Sequence, residues 1–259
     1  VGAGNIADLS VSTSDSKFGI AVSRKTELLA AFAKYPWLNT LHVHVGSGDM
    51  GVKILTDGVA VAVEFAEEVN RHLGKHQVDV LDIGGGMAVN YESEDWHTEQ
   101  APSFSAYAES LRARVPQLFP SHPASPFRKV ITEFGQSLNA KAGWFCSRVE
   151  YMKPIPGGHV AIIHFGAESC LRQAYTNQHK RRIDFFDGIT CLHKVTTPDA
   201  SETKVHVAGP LCFQGDFLSK DAKAAGLRKD DFVVMREAGS NCLSLFSRHC
   251  SRQARREHE

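Results

Sequence analysis

Along the first half of the chain the apolar positions switch repeatedly between helical spacing and short unbroken runs. In residues 21–35, Leu28, Leu29 and Phe32 share one face and Pro36 closes the segment, which predicts a helix. Residues 41–45 read as a short strand. Over residues 52–73, Val59, Val63, Phe65, Ala66 and Val69 recur at helical spacing until Gly74 stops the run. Residues 78–83 are almost continuously apolar, as expected of a strand buried on both faces. A polar stretch from Tyr91 to Pro102 leads to a helix over residues 104–118, a loop between Pro120 and Pro126, and a strand over 129–132. This alternation predicts right-handed βαβ units and a parallel sheet. After about Ala142 the rhythm becomes strands without helices, at residues 144–152, 158–165, 204–207 and 231–236. Turn signals such as Pro156-Gly157-Gly158 and Asp187-Gly188 separate them. The pattern therefore predicts an α/β domain over residues 1–145 and a mainly β domain over 146–259. So few strand-like segments in about 140 residues fall short of the roughly 250 residues of a closed (β/α)8 barrel. The first domain is then a small open sheet, or half of a barrel whose remainder lies upstream of Val1.

Composition narrows the function. The 259 residues carry 29 basic and 29 acidic side chains, so the net charge is zero, which argues against a nucleic-acid binder. No apolar run is long enough for a membrane span, and 42% hydrophobic residues exclude disorder. Six dispersed cysteines without a C-x-x-C pair suit a reducing, cytoplasmic setting. The start at Val1-Gly2-Ala3-Gly4-Asn5 is neither a signal nor a transit peptide, and since it lacks Met, upstream residues with organelle targeting stay open. The tail beyond Ser247, with Arg248, Arg252, Arg255 and Arg256, reads as a solvated basic end.

The unusual residues gather at three predicted strand ends: His42-Val43-His44-Val45-Gly46-Ser47-Gly48, Asp82-Ile83-Gly84-Gly85-Gly86 and Glu133-Phe134-Gly135. Parallel α/β scaffolds place function at the carboxyl ends of strands, so these turns should converge. Three successive glycines let backbone N–H groups face one anion, although such a triplet also serves as a plain tight turn. Gly46-Ser47-Gly48 adds a second small turn with a hydroxyl. His42 and His44, two apart on a strand, point to the same side. They suit a metal site only with further ligands, and the later strand ends offer glycines and the single Glu133. One imidazole can instead lie flat on a planar cofactor. A phosphate cradle, a flat ring and a lone carboxylate together suggest pyridoxal phosphate, whose pyridine nitrogen needs an acid partner.

On these stretches the chain resembles the fold-type III pyridoxal-phosphate decarboxylases of the ornithine/diaminopimelate/arginine group, most closely the diaminopimelate branch. Further matches follow in order: Ser16-Lys17-Phe18-Gly19-Ile20, Gly209-Pro210-Leu211-Cys212, Gly215-Asp216 and, more loosely, residues 239–251. The resemblance implies the second half of a (β/α)8 barrel, a β-sandwich-like C-terminal domain, and a homodimer with shared active sites. It implies a lyase of lysine or polyamine metabolism acting on a small amino acid. By the same resemblance His44 stacks on the pyridine ring and Glu133 pairs with its nitrogen. Ser47, Gly84, Gly85 and Gly86 hold the phosphate, near Gly135. Cys212 reaches the partner subunit's cofactor and protonates the carbanion, Arg172 clamps a substrate carboxylate, and Tyr175 sits beside it. The alternatives are a buried apolar role for Cys212 and a surface ion pair for Arg172.

Four departures stand out. The family's Schiff-base lysine belongs upstream of Val1, and Lys17 lies in a different motif, so the chain is expected to be a fragment. Gln136 replaces an arginine and Asn241 a tyrosine at the phosphate, where charge-assisted bonds are roughly twice as strong as neutral ones. Phe213 replaces an acidic residue that recognises the substrate's distal amine, so ornithine or diaminopimelate should not be held in the usual way. Besides an enzyme with an altered substrate, the sequence allows a catalytically silent homologue that acts by binding partners, and a metal-dependent barrel hydrolase.

Overall fold

The computed structural model describes residues 16–48, 50–175, 181–192 and 203–247. The tail from Arg248 onward and the first five residues lie outside them. The described residues up to Asn90, with Asp95–Ser137, form one compact unit; Tyr91–Glu94 and the described residues from Leu138 onward form the second.

The first unit alternates helices and strands: α1 Lys25–Lys34, β1 Thr40–His42, α2 Val52–Leu73, β2 Val80–Asp82, α3 Phe104–Arg114 and β3 Lys129–Ile131, followed by the one-turn α4 Gln136–Asn139, which continues from the first unit into the second. The three strands are parallel in the order β1-β2-β3, with Leu41 opposite Leu81 and Leu81 opposite Val130. Among the described residues of this unit these three strands form the sheet, and it does not close.

Helix α2 follows the expected bounds because Leu55, Val59, Val63, Ala66 and Val69, spaced by three and four, are all buried against the sheet and α3. Gly74 ends it in the left-handed conformation, φ 64°, and its N–H returns to Arg71 and Asn70 carbonyls. The helix expected over 104–118 is capped by Ser103, whose hydroxyl accepts the Ala106 N–H at 3.2 Å, but it ends at Arg114. Val115 leaves helical φ/ψ ahead of Pro116, and a 3-10 turn, Pro116–Leu118, takes over.

Two buried amides anchor the entrance to β2. Asn70 Oδ1 accepts the Gln77 and Val78 N–H groups at 2.9 and 2.8 Å, and Asn70 Nδ2 donates to the Val78 carbonyl at 2.9 Å. Gln77 Nε2 donates to the carbonyls of Phe32 at 2.8 Å and Leu38 at 3.1 Å, tying the end of α1 to the strand.

The second unit is mainly β. One sheet has the order β10-β9-β6-β5, from β5 Tyr151–Ile155, β6 Gly158–Ile162, β9 Thr203–Ala208 and β10 Phe217–Ala224. The other has the order β4-β11-β7-β8, from β4 Phe145–Arg148, β7 Ile183–Asp187, β8 Thr190–Cys191 and β11 Phe232–Met235. Alternate residues of both sheets, including Val205, Val207, Leu218, Phe185, Val233 and Met235, share one apolar core. A short helix, α5 Leu171–Tyr175, interrupts the expected run of strands. The segment expected as one strand over 144–152 is two, β4 and the start of β5.

Candidate functional site

In the first unit the three strand ends converge as expected. Parallel pairing leaves β1, β2 and β3 in register, so their following turns emerge side by side. The backbone continues this pairing past the strands: Val43 N–H reaches the Asp82 carbonyl at 2.9 Å, Ile83 N–H the Ile131 carbonyl at 3.0 Å, and Glu133 N–H the Gly84 carbonyl at 2.8 Å. Glu133 Oε2 thereby lies 3.7 Å from His44 Nδ1 and 3.6 Å from His42 Nε2. His44 Nε2 faces the Ser47 hydroxyl at 3.3 Å, and its Nδ1 accepts the Gly85 N–H at 3.3 Å.

The glycine turn owes its composition to this crowding. A Cβ on Gly85 would press on the Glu133 carbonyl, and one on Gly84 on the Val43 carbonyl and the His44 ring. Gly84 and Gly86 also have positive φ, 67° and 96°, and a Cβ on Gly86 would collide with the Gly46 carbonyl. Asp82 steadies the turn by accepting the Gly84 N–H at 2.9 Å. Gly135 is different, since a Cβ there meets nothing. Gln136 opens α4 without charge.

Burial is the main influence on His44 and holds its imidazole below the ordinary histidine range; Glu133 and Asp82 pull it up, and His42 pushes it further down. A half-buried neutral imidazole thus stands beside a carboxylate that is half exposed. His42, passed over as a site residue in the sequence, belongs to this constellation. The His42, His44 and Glu133 donors lie within 4.8 Å of one another, a grouping that could hold a metal ion and that draws only Glu133 from the later strand ends.

The remaining expected site residues are in the second unit. Cys212 is exposed, which overturns the buried apolar alternative. Arg172 is buried on α5, which overturns the surface ion pair. Tyr175 ends the same helix, and its side chain lies outside the described residues. Phe213 is exposed and packs its ring over Gly215, where a Cβ would strike it. Asn241 adopts φ 54°, the left-handed region that asparagine tolerates better than tyrosine.

One buried carboxylate, Asp216, organises the Cys212 loop. Its Oδ1 accepts the Ala167 N–H at 2.7 Å and its Oδ2 the Leu211 N–H at 2.8 Å. Gly166 and Gly209 lie directly against this carboxylate, which leaves no room for a Cβ at either. The Gly215-Asp216 signal in the sequence marked the position but not this role.

Residues 3–140 match the family model of the pyridoxal-dependent decarboxylases, pyridoxal binding domain. Among curated relatives, the diaminopimelate decarboxylase of Pseudomonas aeruginosa is 27% identical over 247 residues, covering 94% of this chain and 53% of the relative. That of Zymomonas mobilis is 26% identical over 253 residues, covering 95% and 53%. The chain thus spans about half the length of the curated relatives it matches. Among solved structures, Helicobacter pylori diaminopimelate decarboxylase in complex with L-lysine superposes with a TM-score of 0.75 at 22% identity, covering 93% of this chain and 55% of that one. The lysine/ornithine decarboxylase of Vibrio vulnificus in complex with putrescine gives a TM-score of 0.70 at 18% identity, covering 90% and 57%. The fold is accordingly part of a TIM-type barrel followed by a mainly β domain. No helix of the described residues is long and apolar enough to cross a membrane.

Proposed function

The chain belongs to the pyridoxal-dependent decarboxylase family, and on that premise we propose that it serves a carboxy-lyase of the diaminopimelate/ornithine type acting on a small amino acid. The observation that carries this reading is the approach of Glu133 Oε2 to within 3.7 Å of the half-buried His44 ring, beside the glycine turn that follows the central strand. These residues fit the family's cofactor. A carboxylate half open to solvent is free to meet a pyridine nitrogen, the imidazole is flat and neutral, and the glycine turn is bare of side chains by steric necessity.

Pyridoxal phosphate, when bound, supplies an electron sink for the carbon that loses carbon dioxide. The chain's own residues do the rest. Glu133 would hold a proton at the pyridine nitrogen, and His44 would fix the plane of the ring. Ser47, Gly84, Gly85, Gly86 and Gly135 would bind phosphate oxygens, with uncharged help from Gln136 and Asn241. Arg172 and Tyr175 would hold the substrate carboxylate, and Cys212 Sγ would return a proton to carbon. Phe213 brings an apolar face where the resemblance expects an acid, so the substrate's far end would not be a freely solvated ammonium. Family membership sets aside the metal-dependent hydrolase.

The test is the complete reading frame expressed with pyridoxal phosphate, reduced with borohydride and mapped for a modified lysine, followed by a screen of amino acids for released carbon dioxide. A lysine adduct and carbon dioxide support the reading. A folded dimer with no adduct would favour the silent, partner-binding homologue, to which the uncharged Gln136 and Asn241 already lean.

A further inference from the structure

We propose that Cys170 and Cys242 form a redox-modification site, a dithiol that closes to a disulfide when a peroxide reaches it. The two sulfurs lie 3.3 Å apart although 72 residues separate them in sequence. Both are buried, at 0% and 2% exposure, inside the core of the second unit. Cys170 immediately precedes α5, which carries Arg172, and Cys242 immediately follows Asn241.

A second observation points to an anion at this pair. Arg181 is 3% exposed, and no carboxylate pairs with it among the described residues. Its Nε donates to the Glu237 carbonyl at 3.0 Å, its Nη2 to the Ser240 carbonyl at 3.1 Å, and its guanidinium lies 5.3 Å from the Tyr91 ring centre. Its Nη1 is buried without a hydrogen-bond partner. A buried cation satisfied only by neutral groups is costly unless an anion stands near. A thiolate supplies that anion. The hydrogen bond between the two thiols is the main cause that brings the Cys170 thiol down to about 7, with Arg181 and Arg172 assisting, and that pushes Cys242 up. The attacking and resolving thiols are thus distinguished by their surroundings.

The chemistry balances with hydrogen peroxide as the oxidant. The Cys170 thiolate attacks one peroxide oxygen, the O–O bond breaks, and the departing hydroxide takes a proton to leave as water, giving a sulfenic acid. The Cys242 sulfur then attacks the Cys170 sulfur, the S–O bond breaks, and the hydroxide leaves as water with the Cys242 proton. Two thiols and one peroxide become one disulfide and two waters. The sulfurs must close from 3.3 Å to about 2.05 Å, which draws the turn after Gly239 toward the start of α5. Only the consequence for Arg172 and Asn241 as site residues rests on the proposed function; the thiol chemistry does not.

The experiment exposes the full-length protein to equimolar hydrogen peroxide, blocks the remaining thiols with iodoacetamide and maps the peptides by mass spectrometry. The expected product is a Cys170–Cys242 cross-linked peptide, lighter by two hydrogens than the sum of its parts and released by dithiothreitol. Both thiols should be lost together, and Cys242→Ala should leave a Cys170 sulfenic acid that dimedone captures. Recovery of Cys170 and Cys242 as separately alkylated peptides, with oxidation confined to Cys146 or Cys212, would overturn the proposal. The map of the unmutated protein decides the matter even where Cys242→Ala fails to fold, and it is read without any assay of carbon dioxide.

Discussion

The Asp216 carboxylate takes the Ala167 N–H at 2.7 Å across 49 residues of sequence, and so binds the loop of Cys212 to the turn that precedes Arg172. A second N–H, that of Leu211, meets the other oxygen at 2.8 Å. Asp216→Ala therefore leaves two inward-facing donors without acceptors. It should lower stability by about 2–4 kcal/mol, measured as a shift in the urea midpoint. A variant within experimental error of the parent would show that water replaces the carboxylate at no cost.

The glycine turn gives a matched pair of substitutions. Gly86→Ala puts a methyl group onto the Gly46 carbonyl at φ 96°, whereas Gly135→Ala adds one to open space. The first should destabilise by about 2 kcal/mol or more and abolish cofactor uptake, and the second should stay within about 0.5 kcal/mol of the parent. Thermal melts with and without pyridoxal phosphate compare the two directly.

His44 predicts a pH dependence. Burial lowers its folded-state pKa below the ordinary 6.5, so in mild acid the unfolded chain takes up the proton more readily than the folded one. Its contribution to stability is intact above pH about 6.5 and is lost as pH falls through the lowered value. Melting temperature should drop more steeply from pH 7.5 to 5 in the parent than in His44→Gln. Parallel slopes would mean that another group governs this range.

Phe213→Glu should turn the substrate preference toward amino acids with a distal ammonium. A phenyl ring offers such a group a cation–π contact of about 0.5–2 kcal/mol, against roughly 1.5–3 kcal/mol for a charged hydrogen bond. A gain of about ten-fold in kcat/KM for diamino acids over monoamino acids, read by carbon dioxide release from the complete enzyme, is the expected outcome. An unchanged profile would place recognition elsewhere.

What the sequence made legible follows from how local each signal is. Helix α2 could be bounded to the residue because its buried stripe is regular and Gly74 is a left-handed stop. Gly157 and Gly188, at φ 78° and 56°, mark the β5–β6 and β7–β8 turns where glycine signals stood. Strand β10 escaped because its pairing with β9 slips twice, between Phe217 and Ser219 and again before Ala222, which breaks the two-residue alternation. His44 and Glu133 were visible because a strand end concentrates odd residues. The cluster of Glu237 with Lys141 and Arg182 was not, since partners up to 96 residues apart leave no local trace.

The two amides at the entrance to β2 sit at the opposite end of that strand from the glycine turn. Six residues of extended chain from Val78 to Gly84 put about 20 Å between them. Anchorage and chemistry therefore rest on separate residues. The turns around Ser47 and Gly85 can be rewritten for a new ligand while Asn70 and Gln77 keep the sheet in register, and damage at the amides would loosen the strand without touching any group that meets the ligand.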